Sequence, residues 1–216
     1  MRIFILFLLI FFFTADQGYS QRIKGALIAG FNATQVDGDE VVGYNKLGLN
    51  VGAAAIIPFK KKWSFSIENV FSQKGSHRGE IYIDSLSGSY TLRLNYVEVP
   101  VLVHFTDKEI ITVGSGFSWG RLVGAKEWEH GQRTNTSAKN GPYDKNEFSW
   151  LADLRFRIWK RLKFNLRFSY SLAKIRTRKY DNGYSTWERK QYNNALSFRL
   201  LYIFNERLSE KVSSKK

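Results

Sequence analysis

The sequence predicts an all-β protein, an eight-stranded antiparallel up-and-down β-barrel. Eight stretches of the 216-residue chain alternate apolar and polar residues, which is the period of a β-strand with one apolar face. Long polar connections between these stretches alternate with short turns, as in a series of antiparallel hairpins. The even number of strands places the first and the last at the same edge, where they can pair and close the sheet.

The stretch LKFNLRFSYSLAK at 162–174 shows this alternation most clearly, because apolar residues take its even positions as far as Leu172. The seven other predicted strands lie at 22–34, 46–59, 63–75, 90–105, 109–123, 146–159 and 191–204. The long connections occupy residues 36–45, 75–89, 125–145 and 177–190, and the short turns lie near residues 60, 107 and 160.

The fourth predicted strand contains an irregularity, because its apolar residues change parity. Leu92, Leu94 and Tyr96 share one face of a regular strand, whereas Val99 and Val101 share the other. A β-bulge inserts one extra residue and reverses the alternation. We therefore predict a bulge near residues 96–97 that returns all of these apolar side chains to one face.

The N-terminal segment indicates export from the cytoplasm. Met1 and Arg2 precede an apolar stretch at 3–13, and the small residues Gly18 and Ser20 follow, which is the layout of a secretory signal peptide. The apolar stretch is shorter than the ~20 residues that a membrane-spanning helix needs. The sequence thus predicts three parts: a cleaved signal peptide at 1–20, a barrel at 21–204, and a disordered polar periplasmic tail at 205–216.

Two kinds of closed barrel fit eight strands, and their faces are opposite. A soluble lipocalin-like barrel encloses its apolar side chains around a small or lipidic ligand, whereas an outer-membrane barrel turns them toward lipid. An eight-stranded interior is too narrow for the large apolar residues of this chain. An arginine placed at the bilayer midplane would cost roughly 2–4 kcal/mol. The sequence therefore predicts an outer-membrane β-barrel.

The polar faces carry acids and arginines that must pair with one another if they are buried. We predict that they form an interior charge network that plugs the barrel, with these members: Glu68, Arg93, Glu98, Asp153, Arg155, Arg157, Arg167 and Arg199. Aromatic residues near both ends of the strands are typical of the girdles of membrane barrels. The predicted girdle residues are Trp63, Trp119, Trp150, Trp159, Tyr202 and Phe204.

Several stretches also resemble a known family. They are GFNATQVDGD at 30–39, GYNKLGLNVGAAAIIPF at 43–59, ENVFSQKGS at 68–76 and LNYVEVPVLVHF at 94–105, together with the aromatic-rich last strand. These stretches are similar to the PorT-like small outer-membrane β-barrel proteins of Bacteroidota. The resemblance implies an outer-membrane barrel, and the namesake of the family serves a secretion and gliding machinery.

The sequence favours a structural or accessory role in a cell-envelope complex, such as a secretion or outer-membrane assembly machinery. We expect no enzymatic activity, no cofactor and no metal site. A catalytic site at the outer rim, the alternative, would have to combine His77, Asp84, Glu127 and His130. The chain has no cysteine, which excludes disulfides and thiolate metal sites.

The formal net charge of +14 predicts attraction to phosphate groups. An exported chain is not expected to meet nucleic acid, so outer-membrane lipids and lipopolysaccharide are the predicted phosphate-bearing partners. The basic residues predicted to contact lipopolysaccharide are Arg176, Arg178, Lys179, Arg189 and Lys190. The long connection 125–145, which contains Trp128, is the predicted docking surface for a protein partner.

Overall fold

The computed structural model describes residues 23–39, 41–79, 88–181 and 183–206. The predicted signal peptide and the tail from residue 207 onward lie outside these ranges. Within them the chain forms β-strands with the following bounds: β1 Lys24–Asp37, β2 Lys46–Pro58, β3 Trp63–Arg78, β4 Tyr90–Asp107, β5 Ile111–Glu129, β6 Gln132–Arg133, β7 Asn146–Trp159, β8 Leu162–Ser171, β9 Arg176–Asp181 and β10 Thr186–Ile203.

Eight of these strands form a closed antiparallel ring. Its order is β1, β2, β3, β4, β5, β7, β8 and β10, and β10 pairs with β1 to close it. Closure leaves no sheet edge along the ring, so its backbone polar groups are paired between strands. The eight-stranded up-and-down barrel predicted from the alternation is confirmed.

The two ends of the barrel differ in the length of their connections. The hairpins β2–β3, β4–β5 and β7–β8 turn within a few residues at one end, which we call the short-turn end. The opposite end, the long-loop end, carries the two strands that lie off the ring, since β6 pairs with β5 and β9 pairs with β10. In outer-membrane barrels the short turns face the periplasm and the long loops face outward.

Large apolar side chains point away from the barrel axis and are exposed on its outer surface. Phe117 is 63% exposed, Ile158 58% and Leu27 54%. Buried polar residues take the alternate positions of the same strands, such as Asn165 and Arg167 on β8. This arrangement suits a barrel surrounded by hydrocarbon and is the reverse of a lipocalin-like barrel. In the described part of the chain, no helix has the length and hydropathy to cross a bilayer.

The structure places the predicted girdle residues on the outer surface near the two ends of the strands. At the short-turn end these are Trp63, Trp159, Tyr202 and Phe204, and near the long-loop end they are Trp119 and Trp150. Trp150 and Trp159 lie on the same strand. With a rise of ~3.3 Å per residue and a strand tilt of ~40°, these two side chains are separated by roughly 23 Å along the barrel axis. This span is close to the apolar band of a membrane barrel, ~25 Å.

The prediction of a bulge in β4 near residues 96–97 is wrong, because inward and outward side chains alternate along β4 without interruption. The extra residue lies in the neighbouring strand, because Asn95 pairs with Gly124 but Tyr96 pairs with Leu122, which leaves Val123 of β5 unpaired. The apolar side chains of β4 nearest the long-loop end therefore point inward. They belong to a buried cluster at the long-loop end that comprises Val36, Val41, Tyr90, Leu92, Leu94, Tyr96, Leu122, Ala125, Tyr143 and Ile175.

Strand residues extend into all four predicted long connections, since β1 ends only at Asp37 and β3 only at Arg78. β5 continues to Glu129, and β9 pairs with the first residues of β10 as a hairpin. Alternation of apolar residues does not reveal these extensions, because they lie beyond the girdle, where their outer faces meet water. The barrel thus continues past the membrane as two paired projections.

Candidate functional site in the barrel interior

Five charged side chains from four strands meet near the middle of the barrel and form what we call the central cluster. Glu68 comes from β3, Asp153 and Arg155 from β7, Arg167 from β8 and Arg199 from β10. Each occupies an inward position of its strand, and its side chain is at most 4% exposed. The sequence placed all five on the polar face.

Charge-assisted hydrogen bonds connect the members of the central cluster directly. Arg167 Nη1 and Nη2 donate to the two carboxylate oxygens of Glu68 at 2.9 and 2.8 Å, and Arg167 Nε donates to Asp153 Oδ1 at 2.7 Å. Arg155 likewise bridges Asp153 and Glu68, at 2.7 and 3.1 Å. Arg199 approaches the same carboxylates at 3.3 and 3.4 Å. Every carboxylate oxygen therefore faces a guanidinium group.

The contact between Glu68 and Arg167 crosses the whole lumen. β3 and β8 are the third and seventh strands around a ring of eight, so they lie on opposite walls. A bidentate ion pair therefore joins opposite walls of the barrel at this level. Arg199 also has a hydrogen-bond acceptor outside the two carboxylates, because its Nε donates to Asn165 Oδ1 at 2.7 Å.

His104 of β4 adjoins the central cluster. Ser66 Oγ lies 2.8 Å from His104 Nε2, and His104 Nδ1 lies 3.9 Å from Asp153 Oδ2, beyond hydrogen-bond distance. Gly114 faces His104 across the strands, and a Cβ at this glycine would collide with the imidazole ring. The side chains of Ser66 and His104 are both fully buried.

A second buried network lies closer to the long-loop end. Lys74 Nζ contacts Glu98 Oε1 at 2.7 Å and Glu147 Oε1 at 2.8 Å. Asn193 Nδ2 donates to Glu147 Oε2 at 2.9 Å and lies 3.3 Å from the hydroxyl of Tyr96. β10 and β4 are also on opposite walls, so Asn193 and Tyr96 bridge the lumen at this second level. The sequence interpretation missed Lys74 and Glu147, although they share the parity of Glu68 and Asp153.

A third network lies beyond the outer girdle. Glu127 accepts hydrogen bonds from Arg176 at 3.0 Å, from Tyr90 at 2.7 Å and from Thr136 at 2.9 Å. Burial raises the pKa of the Glu127 carboxyl, but the hydrogen bond from Tyr90 and the charge of Arg176 outweigh it and hold the pKa below its usual value. The guanidinium group of Arg176 also lies over the ring of Tyr143, 4.9 Å from its centroid.

This third network changes the assignment of the basic residues predicted for lipopolysaccharide. Arg176 is buried and faces the interior, so it is unavailable to lipid. Arg178 pairs with Glu129 at 2.8 Å, and the exposed Lys179 pairs with Glu188 at 3.3 Å. The structure leaves Arg189 and Lys190 exposed on β10.

At the short-turn end, Arg157 pairs with a carboxylate from beyond the last strand. Its two terminal nitrogens lie 2.8 and 3.0 Å from the oxygens of Glu206, and Lys24 and Lys163 approach the same carboxylate at 3.4 and 3.6 Å. Burial raises the pKa of Glu206, but the hydrogen bonds from Arg157 and the charge of Lys163 outweigh it and hold the pKa at about 2. Residue 206, assigned to the tail from the sequence, is thus tied to the barrel.

Arg93 is the one predicted member of the interior network that takes the outer parity of its strand. It alternates on β4 with the buried Leu92 and Leu94 and pairs with Lys126 of β5. The predicted parity was wrong because it rested on the bulge at residues 96–97. Glu98 and Arg157 do face inward, but they belong to the second network and to the Glu206 site rather than to the central cluster.

Two of the described residues of the alternative rim site face opposite sides of the barrel wall. Glu127 points into the interior, whereas His77 is exposed and contacts Thr91. His130 lies at a turn next to Gly88, and Asp84 lies outside the described residues. Among the residues that the structure describes, no group of histidine and acidic side chains has the geometry to hold a metal ion.

A closed eight-stranded barrel with an apolar exterior and an ion-paired interior defines the class of small outer-membrane β-barrels. The chain belongs to the outer membrane protein beta-barrel domain family, whose model matches residues 19–176. Its location is therefore the outer membrane. No curated protein matches the sequence.

Solved structures of similar fold are outer-membrane or bacterial surface proteins. Ail, the attachment invasion locus protein of Yersinia pestis, is 17% identical with a TM-score of 0.49, over 85% of this chain and 99% of Ail. Neisserial surface protein A is 9% identical with a TM-score of 0.48, over 84% and 97% of the two chains. OprG from Pseudomonas aeruginosa is 10% identical with a TM-score of 0.43, over 86% and 98%.

Removing one charge of the central cluster is expected to destabilise the barrel strongly. The Glu68→Gln variant would leave three arginines facing a single carboxylate, and breaking a buried ion pair in this way costs about 3–5 kcal/mol. The free energy of unfolding, measured by urea titration in lipid vesicles, should fall by that amount.

The matched control is Glu188→Gln, because Glu188 forms an ion pair with Lys179 and both side chains are more than half exposed. Exposed pairs contribute about 0–1 kcal/mol. Equal losses of stability in the two variants would contradict a central role for the buried cluster.

Proposed function

We propose that this protein is a closed structural barrel that serves as an accessory subunit of a cell-envelope complex. The observation that carries this proposal is the pairing of opposite walls at two levels, Glu68 with Arg167 and Asn193 with Tyr96. An eight-stranded interior is filled by side chains. Because the filling here consists of paired charges, opening the lumen would require several buried ion pairs to separate.

A closed interior directs function to the outer surfaces. β5 with β6, and β9 with β10, continue beyond the outer girdle as paired strands. Trp128 lies on the first of these projections, next to Arg133, and is half-buried. We propose this projection, within the predicted surface 125–145, as the docking site for a partner protein. The resemblance to PorT-like proteins favours secretion or assembly machinery as the complex.

Catalysis is not part of this proposal. The inward position of Glu127 and the outward position of His77 separate the groups that a rim enzyme would need. The buried Ser66 and His104 act in our proposal as hydrogen-bonded filling of the lumen.

We further propose that the outer leaflet contacts the barrel through basic side chains just beyond the girdle. Arg121 and Lys126 on β5 are exposed and outward-facing, and they were not among the residues singled out in the sequence. Lys190 takes the same outward orientation on β10. Guanidinium and ammonium groups at this level can form charge-assisted hydrogen bonds to the phosphates of lipopolysaccharide.

Planar-bilayer recordings test whether the lumen is closed. The wild-type protein should insert without producing stepwise ion conductance, because two levels of cross-lumen contacts block the axis. The variant Glu68→Ala/Tyr96→Ala/Arg167→Ala/Asn193→Ala removes the cross-lumen contacts at both levels and is expected to give small steps. Steady conductance of the wild-type protein would contradict the closed barrel.

Purification from native membranes in mild detergent tests the accessory role. The full-length protein should retain a stoichiometric envelope protein, and Trp128→Ala should release it without altering the heat-modifiable gel mobility of the folded barrel. Isolation of the wild-type barrel as a single component would contradict a subunit role.

Thermal unfolding in the presence of lipopolysaccharide tests the outer basic residues. Lipopolysaccharide should raise the unfolding temperature of the wild-type protein, and Arg121→Gln/Lys126→Gln should reduce that increase. The control, Lys108→Gln/Arg161→Gln, removes two exposed charges at the opposite end and should respond as the wild type does. An undiminished increase in the first variant would count against this contact.

A further inference from the structure

A basic cavity of about 150 Å³ opens at the short-turn end of the barrel. Among the residues that the structure describes, seven cationic side chains line it against two carboxylates, those of Glu109 and Glu206. Its volume is several times the roughly 30 Å³ that a water molecule occupies in the liquid. The cavity is therefore large enough for a small anionic group and strongly favours negative charge.

The cavity already holds one anionic group, the carboxylate of Glu206. A turn at residues 204–205, where Asn205 has a φ of 53°, brings this side chain back under the barrel mouth. Asparagine tolerates this left-handed conformation better than most residues. The guanidinium group of Arg157 then binds the Glu206 carboxylate through its two terminal nitrogens, and Lys24 and Lys163 lie beside it. An anion from outside the ring of strands thus already occupies part of the cavity.

One carboxylate does not neutralise the charge that surrounds it. Three cations contact Glu206, and the exposed Lys60 and Lys61 line the same cavity from the β2–β3 turn. Lys62, in contrast, is paired with Asp107 at 2.9 Å. The cavity retains an excess of positive charge after its internal ion pairs are formed.

A phosphoryl group satisfies this excess better than a carboxylate does. It offers more acceptor oxygens and, as a monoester, up to two negative charges. The planar guanidinium of Arg157 can bind two of its oxygens at once, and flexible lysines bind phosphate as point charges.

We propose that the basic cavity is a phosphoryl-binding site at the periplasmic mouth and that Glu206 is its internal competitor. The phosphoryl group enters when the Glu206 side chain leaves and then contacts Arg157, Lys163 and Lys24. The source of this group is either a soluble phosphate compound or the headgroup of an inner-leaflet phospholipid, and these share the same chemistry.

Calorimetric titration of the full-length protein with inorganic phosphate, in a phosphate-free detergent at constant ionic strength, tests the site. The Glu206→Gln variant should bind phosphate about tenfold more tightly than the wild type, the size of effect that one charge-assisted hydrogen bond provides. Adding Arg157→Gln to that variant should abolish the gain. Equal affinities of the wild type and Glu206→Gln would overturn the proposal, provided that both show the gel mobility of the folded barrel.

A second pair of variants keeps the test independent of Arg157, whose removal can impair folding. Lys61→Gln changes an exposed lysine that lines the cavity, and Lys108→Gln changes an exposed lysine in the neighbouring short turn that does not. In the Glu206→Gln background, the first should weaken phosphate binding severalfold and the second should not. Equal effects of the two would indicate nonspecific attraction and overturn the site.

Nanodiscs distinguish the two sources. If an inner-leaflet headgroup is the occupant, Glu206→Gln should retain phosphatidylglycerol in native mass spectrometry and lose its affinity for added phosphate in phosphatidylglycerol nanodiscs. If the occupant is soluble, phosphate affinity should be the same in nanodiscs and in detergent. Absence of both retained lipid and saturable phosphate binding would refute the proposal.

Discussion

Charged groups inside this barrel have little water to solvate them, and this constraint organises the interior. The lumen of an eight-stranded barrel is narrow and lined closely by side chains, so each buried charge needs a partner. Glu68 and Asp153 meet this demand with three arginines, and Lys74 meets it with two glutamates. Because partners come from different walls, the same contacts that satisfy the charges also fasten opposite strands together.

The inner surface of the barrel has an ion-paired part and an apolar part. On the walls formed by β1, β2, β3 and β10, a second buried apolar cluster lies toward the short-turn end, with Ile28, Ile56 and Leu201 among its members. Its apolar side chains lower the local polarity next to the central cluster, which strengthens the ion pairs and raises the cost of leaving one unpaired. The inner surface thus combines apolar packing on one side with ion pairing on the other.

The strand alternation was sufficient to predict the eight-stranded barrel, and it assigned the five members of the central cluster to the polar face of their strands. Glu68, Asp153 and Arg167 could be assigned to the interior because each is flanked by outward-facing residues of regular strands. Arg93 was misplaced because apolar residues were taken to mark the outer face even above the membrane, where Leu92 and Leu94 instead fill the lumen.

The roles of Glu206 and Arg176 could not be predicted from the sequence pattern. Glu206 follows the last strand in a polar segment without periodicity, and only the turn at residues 204–205 brings it to Arg157. Arg176 looked like one of several basic loop residues, because its hairpin partner strand could not be recognised from alternation. Contacts between residues 49 positions apart, such as Arg176 with Glu127, depend on the ring and not on local pattern.

The position of Arg199 has a consequence for how the barrel closes. β10 is the final strand of the ring, and it must align with β1 such that Arg199 lies opposite Gly30. Sliding β10 by two residues would preserve which side chains face lipid, yet it would carry the guanidinium group about 7 Å along the wall. At that distance it no longer reaches Glu68 or Asp153. The buried ion pairs therefore fix the register between β10 and β1. A barrel closed in a register shifted by two residues would lose these ion pairs, although its lipid-facing surface would be unchanged.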